Sequence, residues 1–571
     1  MRRRPGTLLL ILIFLFSIEQ PQAASRRPLT AKRGMVASVS EIASQIGIET
    51  LRKGGNAVDA AVAVAFALAV VWPEAGNLGG GGFILIRKAD GSEEAIDYRE
   101  RAPLLATRDM YLDPAGNLIS ETSTFGHKAV AVPGTIAGLA LSLKRYGKLQ
   151  WKDVIEPARK LAKEGFVVSP VLTDRFRIYE KKISRFPETK QIFLRNGRYF
   201  EAGERLRQPQ LARTLRRLQQ QGPREFYEGQ TANLIVQDMK RNGGLITTND
   251  LRQYEPTIRK PLHGTYRGYE IMTMPPPSSG GVALIEMLNM LESFDLASRG
   301  FQSSDHLHPL IEVMKRAFAD RAGFLGDPDL VNIPLERFVS KQYAAAAAKT
   351  IDARKATPAN EIKAGTLPSP EGASTTHFTI VDAEEMVVCN SFTLNDAFGS
   401  GVTVPDAGFL LNNEMDDFTA KPGAPNLYGL LQSEANAIAP RKRPLSSMTP
   451  VIVLKDGKPF FAVGAAGGPA IISLILQVIV GVIDFHLDIQ EAIDAPRFHH
   501  QWAPDAIYFE SSGLNEDTRA ALESRGHHFS EKYFFTETKV LGDAHAVMIV
   551  PGSRARLGAS DPRRGGAPAG Y

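Results

Sequence analysis

Residues 374–395 read STTHFTIVDAEEMVVCNSFTLN, and the fold class is argued outward from them. Thr375–Val381 alternates between polar and apolar residues, residues 382–385 suit a turn, and Met386–Leu394 is apolar and β-branched, so the stretch predicts a β-hairpin. The preceding residues, Ala353–Ser374, carry prolines, glycines and charges without apolar periodicity, which is typical of an exposed, mobile segment. A mobile segment that stops abruptly at a core strand is the most informative boundary in the chain.

The residue at that boundary, Thr375, has a specific chemical potential. A threonine hydroxyl is a weak nucleophile unless a base lies beside it, and an N-terminal threonine carries such a base in its own α-amine. That amine titrates near ~7.7–8.0, which suits a general base at neutral pH. Self-cleavage before Thr375 would therefore create an activated nucleophile. From the pattern alone, the alternative is an ordinary polar residue at a strand edge.

The composition of the 571 residues limits the function classes. Hydrophobic residues make up 43% and charged residues 23%, close to globular averages, so the chain is neither largely disordered nor fibrous. The net charge of +5 is small and no basic block is interleaved with aromatics, which argues against nucleic-acid binding. The single cysteine, Cys389, allows no intrachain disulfide and cannot by itself hold zinc or an iron–sulfur cluster.

The first 24 residues have the pattern of a secretory signal peptide. Arg2–Arg4 form a positive region, Leu8–Phe16 is an apolar run, and small residues at Ala23–Ser25 offer a cleavage point. The alternative is a membrane anchor, but the run is too short to span ~30 Å of hydrocarbon. We therefore expect residues 1–24 to be removed and the mature protein to be exported, periplasmic or secreted, without a stable membrane span.

Motifs of other well-known classes are incomplete. Gly79–Gly82 lies between a predicted helix and a predicted strand, which is the reverse of the order that a dinucleotide-binding motif needs. No serine lies in a G-x-S-x-G sequence and no H-E-x-x-H sequence occurs, which excludes a nucleophile elbow and a zincin site. The pairs His306 with His308 and His499 with His500 lack partners at zinc-ligand spacing, so we expect structural histidines there.

Apolar periodicity and capping residues predict several helices, at Glu41–Arg52, Ala57–Val71, Trp151–Glu164, Val282–Phe294, Leu307–Phe324 and Ala470–Phe485. Gly467 and Gly468 precede the last of these, with Pro469 at its start. Free backbone N–H groups at such a position can bind a developing oxyanion. The alternative is a tight turn that binds nothing.

Several ordered motifs together resemble the γ-glutamyltranspeptidase family, and the resemblance spans nearly the whole chain after residue 24. It includes the residues around Thr375 and their continuation to Asn395. The other matching stretches are Gly55–Ala61, Asp97–Glu100, Leu410–Phe418, Arg443–Pro450, Gly467-Gly468, Ala495–Trp502 and Gly558–Arg563.

This resemblance implies an α+β fold, the four-layer αββα sandwich of the N-terminal-nucleophile hydrolases. It implies one precursor that cleaves itself into a large subunit, residues 25–374 with a mobile tail from about 353, and a small catalytic subunit, residues 375–571. The implied reaction is attack on the γ-glutamyl amide of glutathione and related compounds. The γ-glutamyl group then passes to water or to an amino-acid or peptide amine, and no metal or organic cofactor is implied.

The resemblance also implies a donor pocket with both signs of charge, because a γ-glutamyl donor carries an α-carboxylate and an α-ammonium. Arg99 would bind the carboxylate bidentately, with hydrogen bonds from Ser446 and Ser447. Asp417, together with Asn395 and Glu414, would receive the ammonium. Taken singly, Arg99 is read more simply as an ion-pair partner of Glu100, and Asp417 as a turn or helix cap.

The remaining implied residues serve the reaction itself. Thr375 would be the nucleophile, Thr393 would contact it and set its geometry, and Gly467 with Gly468 would bind the oxyanion. Tyr428 would lie on a loop that covers the donor pocket. The segment Gly464–Ala470 departs from the Gly-Ser-Pro-Gly-Gly-Ser-Arg sequence common in the family, which leaves the shape of this loop open beyond the two glycines.

Two other functions fit the same resemblance. One is a cephalosporin or glutaryl-amide acylase of the same fold, whose substrate has no α-amine. Asp417 argues against it, because its carboxylate would then lack the cation that it would otherwise meet. The other is a catalytically inactive binding relative, which the intact set of reaction residues argues against.

Overall fold

Two seven-stranded antiparallel sheets lie face to face at the centre of the molecule, with helices on both outer faces. The structure is a computed structural model that describes residues 25–362, 374–421, 427, 433–510, 513–530 and 540–571. The four-layer αββα architecture expected from the sequence is confirmed. The predicted signal peptide, residues 1–24, lies outside the described residues.

Within those residues the strands are, in chain order, Leu29–Ala31 (β1), Met35–Ser38 (β2), Gly81–Arg87 (β3), Glu93–Asp97 (β4), Phe166–Val167 (β5), Leu194–Arg195 (β6), Arg198–Tyr199 (β7), Arg205–Leu206 (β8), Thr257–Arg259 (β9), Leu262–Tyr266 (β10), Tyr269–Thr273 (β11), Ser374–Val381 (β12), Val387–Asn395 (β13), Val451–Lys455 (β14), Lys458–Ala466 (β15), Phe498–His499 (β16), Tyr508–Phe509 (β17), Asp543–Ile549 (β18), Arg556–Ser560 (β19) and Ala567–Gly570 (β20).

The α-helices of the described residues are Glu41–Arg52 (α1), Ala57–Val71 (α2), Thr135–Tyr146 (α3), Trp151–Glu164 (α4), Pro170–Ile178 (α5), Glu180–Ile183 (α6), Pro187–Phe193 (α7), Pro209–Gln221 (α8), Arg224–Glu228 (α9), Gln230–Asn242 (α10), Thr248–Arg252 (α11), Gly280–Leu291 (α12), Ser304–Phe324 (α13), Leu335–Phe338 (α14), Lys341–Ala348 (α15), Ala470–Asp484 (α16), Ile489–Asp494 (α17) and Glu516–Ser524 (α18). Short 3₁₀ helices include Ala359–Glu361, Glu414–Asp417 and Glu434–Asn436.

The strand order of the two large sheets mixes distant parts of the chain. Sheet I has the order β20-β2-β12-β13-β3-β4-β9, and sheet II has the order β1-β19-β18-β15-β14-β11-β10. The predicted hairpin is present as β12 and β13, with β12 held between β2 and β13 in the middle of sheet I. Residues 375–381 are all buried, so the polar residues Thr376, His377 and Thr379 of this strand lie in the interior as well.

Three apolar cores hold the four layers together. Phe378 and Phe392 of sheet I pack under helices α1 to α4, while Val453 and Val463 of sheet II pack under α12, α13 and α16. A third core fills the space between the sheets, with Cys389 from sheet I among its members and Ile452, Ala462 and Val547 from sheet II. The central position of β12 therefore places its start between two rigid layers.

The two N-terminal helices form as their capping residues predict. Ser40 accepts the Ala43 N–H at the start of α1, and Asn56 with Asp59 makes a reciprocal capping box at the start of α2. Every residue of α2 is buried, in agreement with its apolar sequence. In the described part of the chain, no helix combines the length and the hydropathy that crossing a membrane requires.

The segment after Ala353 differs from its expected exposure. Ala356 and Ala359 are buried, the Ala356 N–H donates to the Arg525 carbonyl (2.7 Å), and the Ala359 N–H donates to Asp505 Oδ2 (2.8 Å). The prediction of an exposed segment is thus wrong for these two residues. Their partners, Arg525 and Asp505, lie far away in the sequence, so the local pattern could not reveal this packing. Residues 363–373 lie outside the described residues.

Candidate functional site

The start of β12 lies beside a polar strand end. Thr375 lies directly opposite Thr393 of β13, and the register shifts between Ser374 and Thr375, so that Ser374 lies opposite Asn395. The extra residue on β13 makes a bulge at the peptide bond whose cleavage the sequence predicts. Thr375 is buried with 5% of its surface exposed. The structure therefore brings Thr375 and Thr393 together, as expected.

Thr393 is fixed by two hydrogen bonds to its neighbourhood. Its Oγ1 accepts the Asn395 N–H (2.8 Å), and its carbonyl accepts from Asn77 Nδ2 (2.8 Å). Asn77 Oδ1 in turn accepts from the Gly80 N–H and from Thr135 Oγ1. Asn77 was not among the predicted site residues, and its only sequence signal is its place in the glycine-rich stretch before β3.

Asn395 links the threonine pair to the next part of the site. Its backbone is left-handed, with φ of 74°, and its Nδ2 donates to the Asn413 carbonyl (3.0 Å). Asn413 immediately precedes the 3₁₀ helix Glu414–Asp417, which carries two of the predicted donor-binding carboxylates. The end of β13 therefore sets the distance between the threonines and these carboxylates.

Arg99 forms the charged centre of the site. Its guanidinium donates to the carboxylates of Glu414 and Asp417 and to the carbonyls of Pro444 (3.2 Å) and Leu445 (2.7 Å). All of these side chains are buried. The structure thus unites three predicted residues, Arg99, Glu414 and Asp417, and the simple ion pair with Glu100 is secondary at 3.7 Å.

Burial of several carboxylates around one guanidinium shifts their titration. Burial raises the pKa of Glu414 well above its usual range, opposed by Arg99 and reinforced by Glu100 and Asp417. Burial likewise raises the pKa of Glu100 to about 7, opposed chiefly by Arg99. Burial and the excess of carboxyl groups over cations therefore both favour the protonated form of a carboxyl group in this pocket. Glu100 is therefore part of the charged pocket. The sequence predicted it only as an ion-pair partner of Arg99, within the stretch Asp97–Glu100.

Ser446 and Ser447 lie next to the Arg99 contacts and are positioned by the loop before α12. The Ser446 N–H donates to the Pro277 carbonyl (2.8 Å), and its carbonyl accepts from the N–H (2.6 Å) and hydroxyl (2.8 Å) of Ser279. Arg321 donates to that same hydroxyl (2.9 Å). Two segments far apart in the chain thus fix the backbone of Ser446.

Asn436 ties the two sides of the charged pocket together. Its Nδ2 donates to the Asp417 carbonyl (2.6 Å), and its Oδ1 accepts the Leu445 N–H (3.1 Å). It is a further residue that sequence reasoning missed. Tyr428, the predicted residue of the covering loop, lies outside the described residues.

Gly467 and Gly468 lie on sheet II, at the end of β15. Both are buried and have positive φ values of 134° and 57°. In the described part of the chain, neither N–H donates to a protein acceptor, while the Gly468 carbonyl accepts the Ile471 N–H at the start of α16. This is the arrangement that a helix N-terminus offers to an anion.

A contact between the two sheets lies close to both the glycines and Thr375 in the sequence. The His377 ring, on β12, lies against Gly464, on β15. His377 follows Thr375 by two residues and Gly464 precedes Gly467 by three, so both parts of the predicted site lie within three residues of this contact.

The combined arrangement has clear chemical capabilities. One side can bind a small molecule that carries both a carboxylate and an ammonium, since opposite charges are buried within contact of each other. The other side offers two backbone N–H groups that have no protein acceptor among the described residues, which suits stabilisation of an oxyanion.

Comparisons with known proteins give the same picture. The family model for γ-glutamyltranspeptidase matches residues 43–571. The glutathione hydrolase proenzyme of Escherichia coli K12 is 47% identical over 537 residues, which cover 94% of this chain and 91% of that protein. A crystal structure of cephalosporin acylase from Bacillus halodurans is similar with a TM-score of 0.84 at 28% identity, covering 98% of this chain and 99% of that chain. A Helicobacter pylori γ-glutamyltranspeptidase chain is 43% identical with a TM-score of 0.56, covering 57% of this chain and 94% of that chain.

Proposed function

The chain belongs to the γ-glutamyltranspeptidase family, and from that premise we propose that it is a glutathione hydrolase and γ-glutamyltransferase made as a self-cleaving precursor. The observation that carries the proposal is the buried contact of Arg99 with Asp417, in a pocket joined through Asn395 to the Thr375–Thr393 pair. A γ-glutamyl compound carries an α-carboxylate and an α-ammonium at one end, so it matches both charges of this pocket.

Donor binding follows from the charges. The α-carboxylate of the donor takes over the guanidinium of Arg99 and reaches the hydroxyls of Ser446 and Ser447. Its α-ammonium takes the place of Arg99 beside Asp417, Glu414 and Asn395. The donor carboxylate then pairs with Arg99, and the donor ammonium pairs with the two carboxylates that Arg99 had bound, which avoids the large cost of leaving a buried charge alone.

The precursor is proposed to break between Ser374 and Thr375. The Thr375 hydroxyl attacks the Ser374 carbonyl, and hydrolysis of the resulting ester frees the α-amine of Thr375. The products are a large subunit of residues 25–374 and a small subunit of residues 375–571. β12 stays in place throughout, because β2 and β13 hold it on both sides.

The transfer reaction uses the new N-terminus as its base. The α-amine accepts the hydroxyl proton while Oγ1 of Thr375 attacks the γ-carbonyl carbon, and the negative charge forms on the carbonyl oxygen beside the N–H groups of Gly467 and Gly468. Collapse breaks the amide bond, and the departing amine takes the proton. Water or an acceptor amine then cleaves the γ-glutamyl ester by the reverse sequence.

The acylase alternative is weaker for this chain. The solved cephalosporin acylase is 28% identical and an acylase proenzyme of Pseudomonas sp. (strain V22) is 39% identical over 511 residues, against 47% for the glutathione hydrolase. A glutaryl group has no ammonium, so it would displace Arg99 from Asp417 without supplying a new cation. The buried carboxylate would then be left unpaired at a high energetic cost.

We also propose export through cleavage of residues 1–24, with free amino acids or short peptides as acceptors beside water. The decisive experiment combines intact mass spectrometry with release of the chromophore from a γ-glutamyl anilide. Two chains, with the smaller beginning at Thr375, and anilide turnover support the proposal. One uncut chain without turnover would favour the inactive relative, and turnover of glutaryl anilide alone would favour the acylase.

A further inference from the structure

The glycine pair on sheet II is backed by a second glycine segment. Gly542 lies just before β18 and has a φ of 78°. A Cβ at Gly542 would overlap the Ala466 carbonyl oxygen, and a Cβ at Gly467 would come within 2.7 Å of the Gly542 Cα. The backbone of Gly542 is therefore pressed directly against the backbone that carries the proposed oxyanion site, with no side chain between them.

The carbonyl side of this backing segment is held by one buried arginine. Arg497 Nη1 donates to the carbonyls of Leu541 (3.2 Å) and Gly542 (2.9 Å), and its Nη2 donates to the Ile493 carbonyl (2.7 Å) and to Asp561. Arg497 is 4% exposed and Asp561 is fully buried. A planar guanidinium can bridge several acceptors in a fixed geometry, which an ammonium cannot.

The other side of the segment is held by a carboxylate. The Leu541 N–H donates to Glu510 Oε1 (3.2 Å), while Glu510 Oε2 accepts from Arg563 (2.8 Å). Asp561 also accepts the Ala544 N–H (3.1 Å) at the start of β18. The segment before β18 is thus held by Arg497 through its carbonyls and by Glu510 through the Leu541 N–H. Among the described residues, neither side chain hydrogen-bonds to the glycine pair.

We propose that Arg497 is a positioning residue for the reaction: through Leu541–Gly542 it holds Gly467 and Gly468 where their N–H groups meet the oxyanion. The inference rests on the proposed function of the glycine pair. This role explains why the buried guanidinium of Arg497, with its several hydrogen bonds, lies behind the Leu541–Gly542 backbone, where apolar side chains alone could fill the space. An oxyanion site works by being already in place, so a displacement of even ~1 Å is costly.

The test uses the full-length, processed protein and two matched arginines. Arg497→Lys keeps a positive charge beside Asp561 but cannot bridge both carbonyls. Gly542→Ala perturbs the same contact without touching any charge. Arg556→Lys is the control, since Arg556 is equally buried and binds the carbonyls of Lys32, Arg554 and Asp382 away from the glycine pair.

Three measurements separate positioning from general destabilisation. For Arg497→Lys and Gly542→Ala we expect kcat on a γ-glutamyl anilide to fall about 10- to 100-fold with KM nearly unchanged, because the N–H pair acts in the transition state. A tetrahedral boronic-acid analogue of the donor should lose affinity by a similar factor, while glutamate should bind as before. Amide exchange in residues 464–474 should accelerate in both variants but not in the control.

The amide-exchange measurement needs no substrate, so it judges the positioning role even if the wild type fails to turn over γ-glutamyl anilide, a result that would contradict the proposed function alone. Unchanged exchange in residues 464–474 overturns the inference. Faster exchange with wild-type kcat overturns it as well, and so does a loss of kcat that the Arg556→Lys control reproduces.

Discussion

The two halves of the site, one on each sheet, use different chemical groups. The half on sheet I and its adjoining loops uses charged side chains, with Arg99 gripped by Glu414 and Asp417. The half on sheet II uses bare backbone, with Gly467 and Gly468 backed by Gly542. Charged side chains suit a ligand whose charges are permanent. Backbone N–H groups suit an oxyanion, whose charge forms only during the reaction.

In the proposed reaction, binding and rate would be controlled separately. The side-chain ion pairs would contribute as soon as the donor enters, so they would set which donor is accepted. The backbone N–H groups would contribute most when the oxyanion forms, so they would set turnover. Substitutions in the two halves should therefore leave different kinetic signatures.

Substitution of Thr375, the proposed nucleophile, should have the largest effect on cleavage and turnover. Thr375→Ala should give one uncut chain without anilide turnover, because nothing remains to attack either the Ser374 carbonyl or the donor. Intact mass spectrometry measures this directly. Thr376→Ala is the matched control and should still be cut, and a small subunit that begins at another residue would contradict the assignment.

Asp417→Asn tests the charged half. Leaving the donor ammonium without its carboxylate costs about 3–5 kcal/mol, so kcat/KM for a γ-glutamyl anilide should fall by several hundredfold or more. The preference for γ-glutamyl over glutaryl anilide should shrink, because the glutaryl group has no ammonium to lose. Cleavage at Thr375 should be spared.

The control for that prediction is Asp416→Asn. Asp416 lies in the same 3₁₀ helix, but its carboxylate accepts from Ser123 (2.6 Å). This variant should leave the ratio between the two anilides unchanged. An unchanged ratio in Asp417→Asn itself would show that Asp417 does not recognise the amine.

Gly468→Val tests the backbone half. Its φ of 57° is strained for a β-branched residue, so the N–H should be displaced and kcat should fall by about 10²–10³, with much less change in donor affinity. Gly468→Asn should be milder, since asparagine tolerates this conformation. Steady-state kinetics on the processed protein measure both quantities. Equal losses of donor affinity and kcat would contradict the proposal that the two halves act separately on binding and turnover.

The smallest effect concerns stability. Folding raises the pKa of Glu100 to about 7 through burial, so the folded state binds a proton that the unfolded state releases near pH 4.3. Stability should therefore fall as pH rises from about 4.5 to 7, by about 3–4 kcal/mol at most. Glu100→Gln should remove this loss, measured as urea midpoints at pH 5 and pH 8 in the uncut Thr375→Ala chain.

Glu49→Gln serves as the control for Glu100→Gln, because Glu49 lies exposed on α1. It should keep the pH dependence of its parent. If Glu100→Gln keeps it too, the carboxylates around Arg99 do not share the proton that the charged half is expected to hold.

The sequence could predict features whose causes are local. The capped helices α1 and α2, the hairpin β12–β13 and the glycine pair before α16 all follow from neighbouring residues. The pairing of Arg99 with Glu414 and Asp417 was not local, and only the resemblance to a family brought these residues together in advance.

The sequence could not reveal contacts between distant segments that use ordinary residues. Asn77 and Asn436 act through backbone carbonyls more than 15 positions away, and an isolated asparagine carries no pattern. The packing of Ala359 depends on Asp505 and on the indole of Trp502, which donates to its carbonyl (2.9 Å). Alanine, proline and lysine in a row resemble an exposed segment until those partners are known.

The mixed strand order of the two sheets has a consequence for the mature heterodimer. Cut before Thr375, the chain would give two polypeptides whose strands alternate: in sheet I, β2 of the first piece lies between β20 and β12 of the second, and in sheet II both edges belong to the first. Neither of the two large sheets would belong to one piece alone. Separation of the two chains would then be the same event as unfolding, so the stability of the processed protein would depend on its concentration, whereas that of the uncut chain would not.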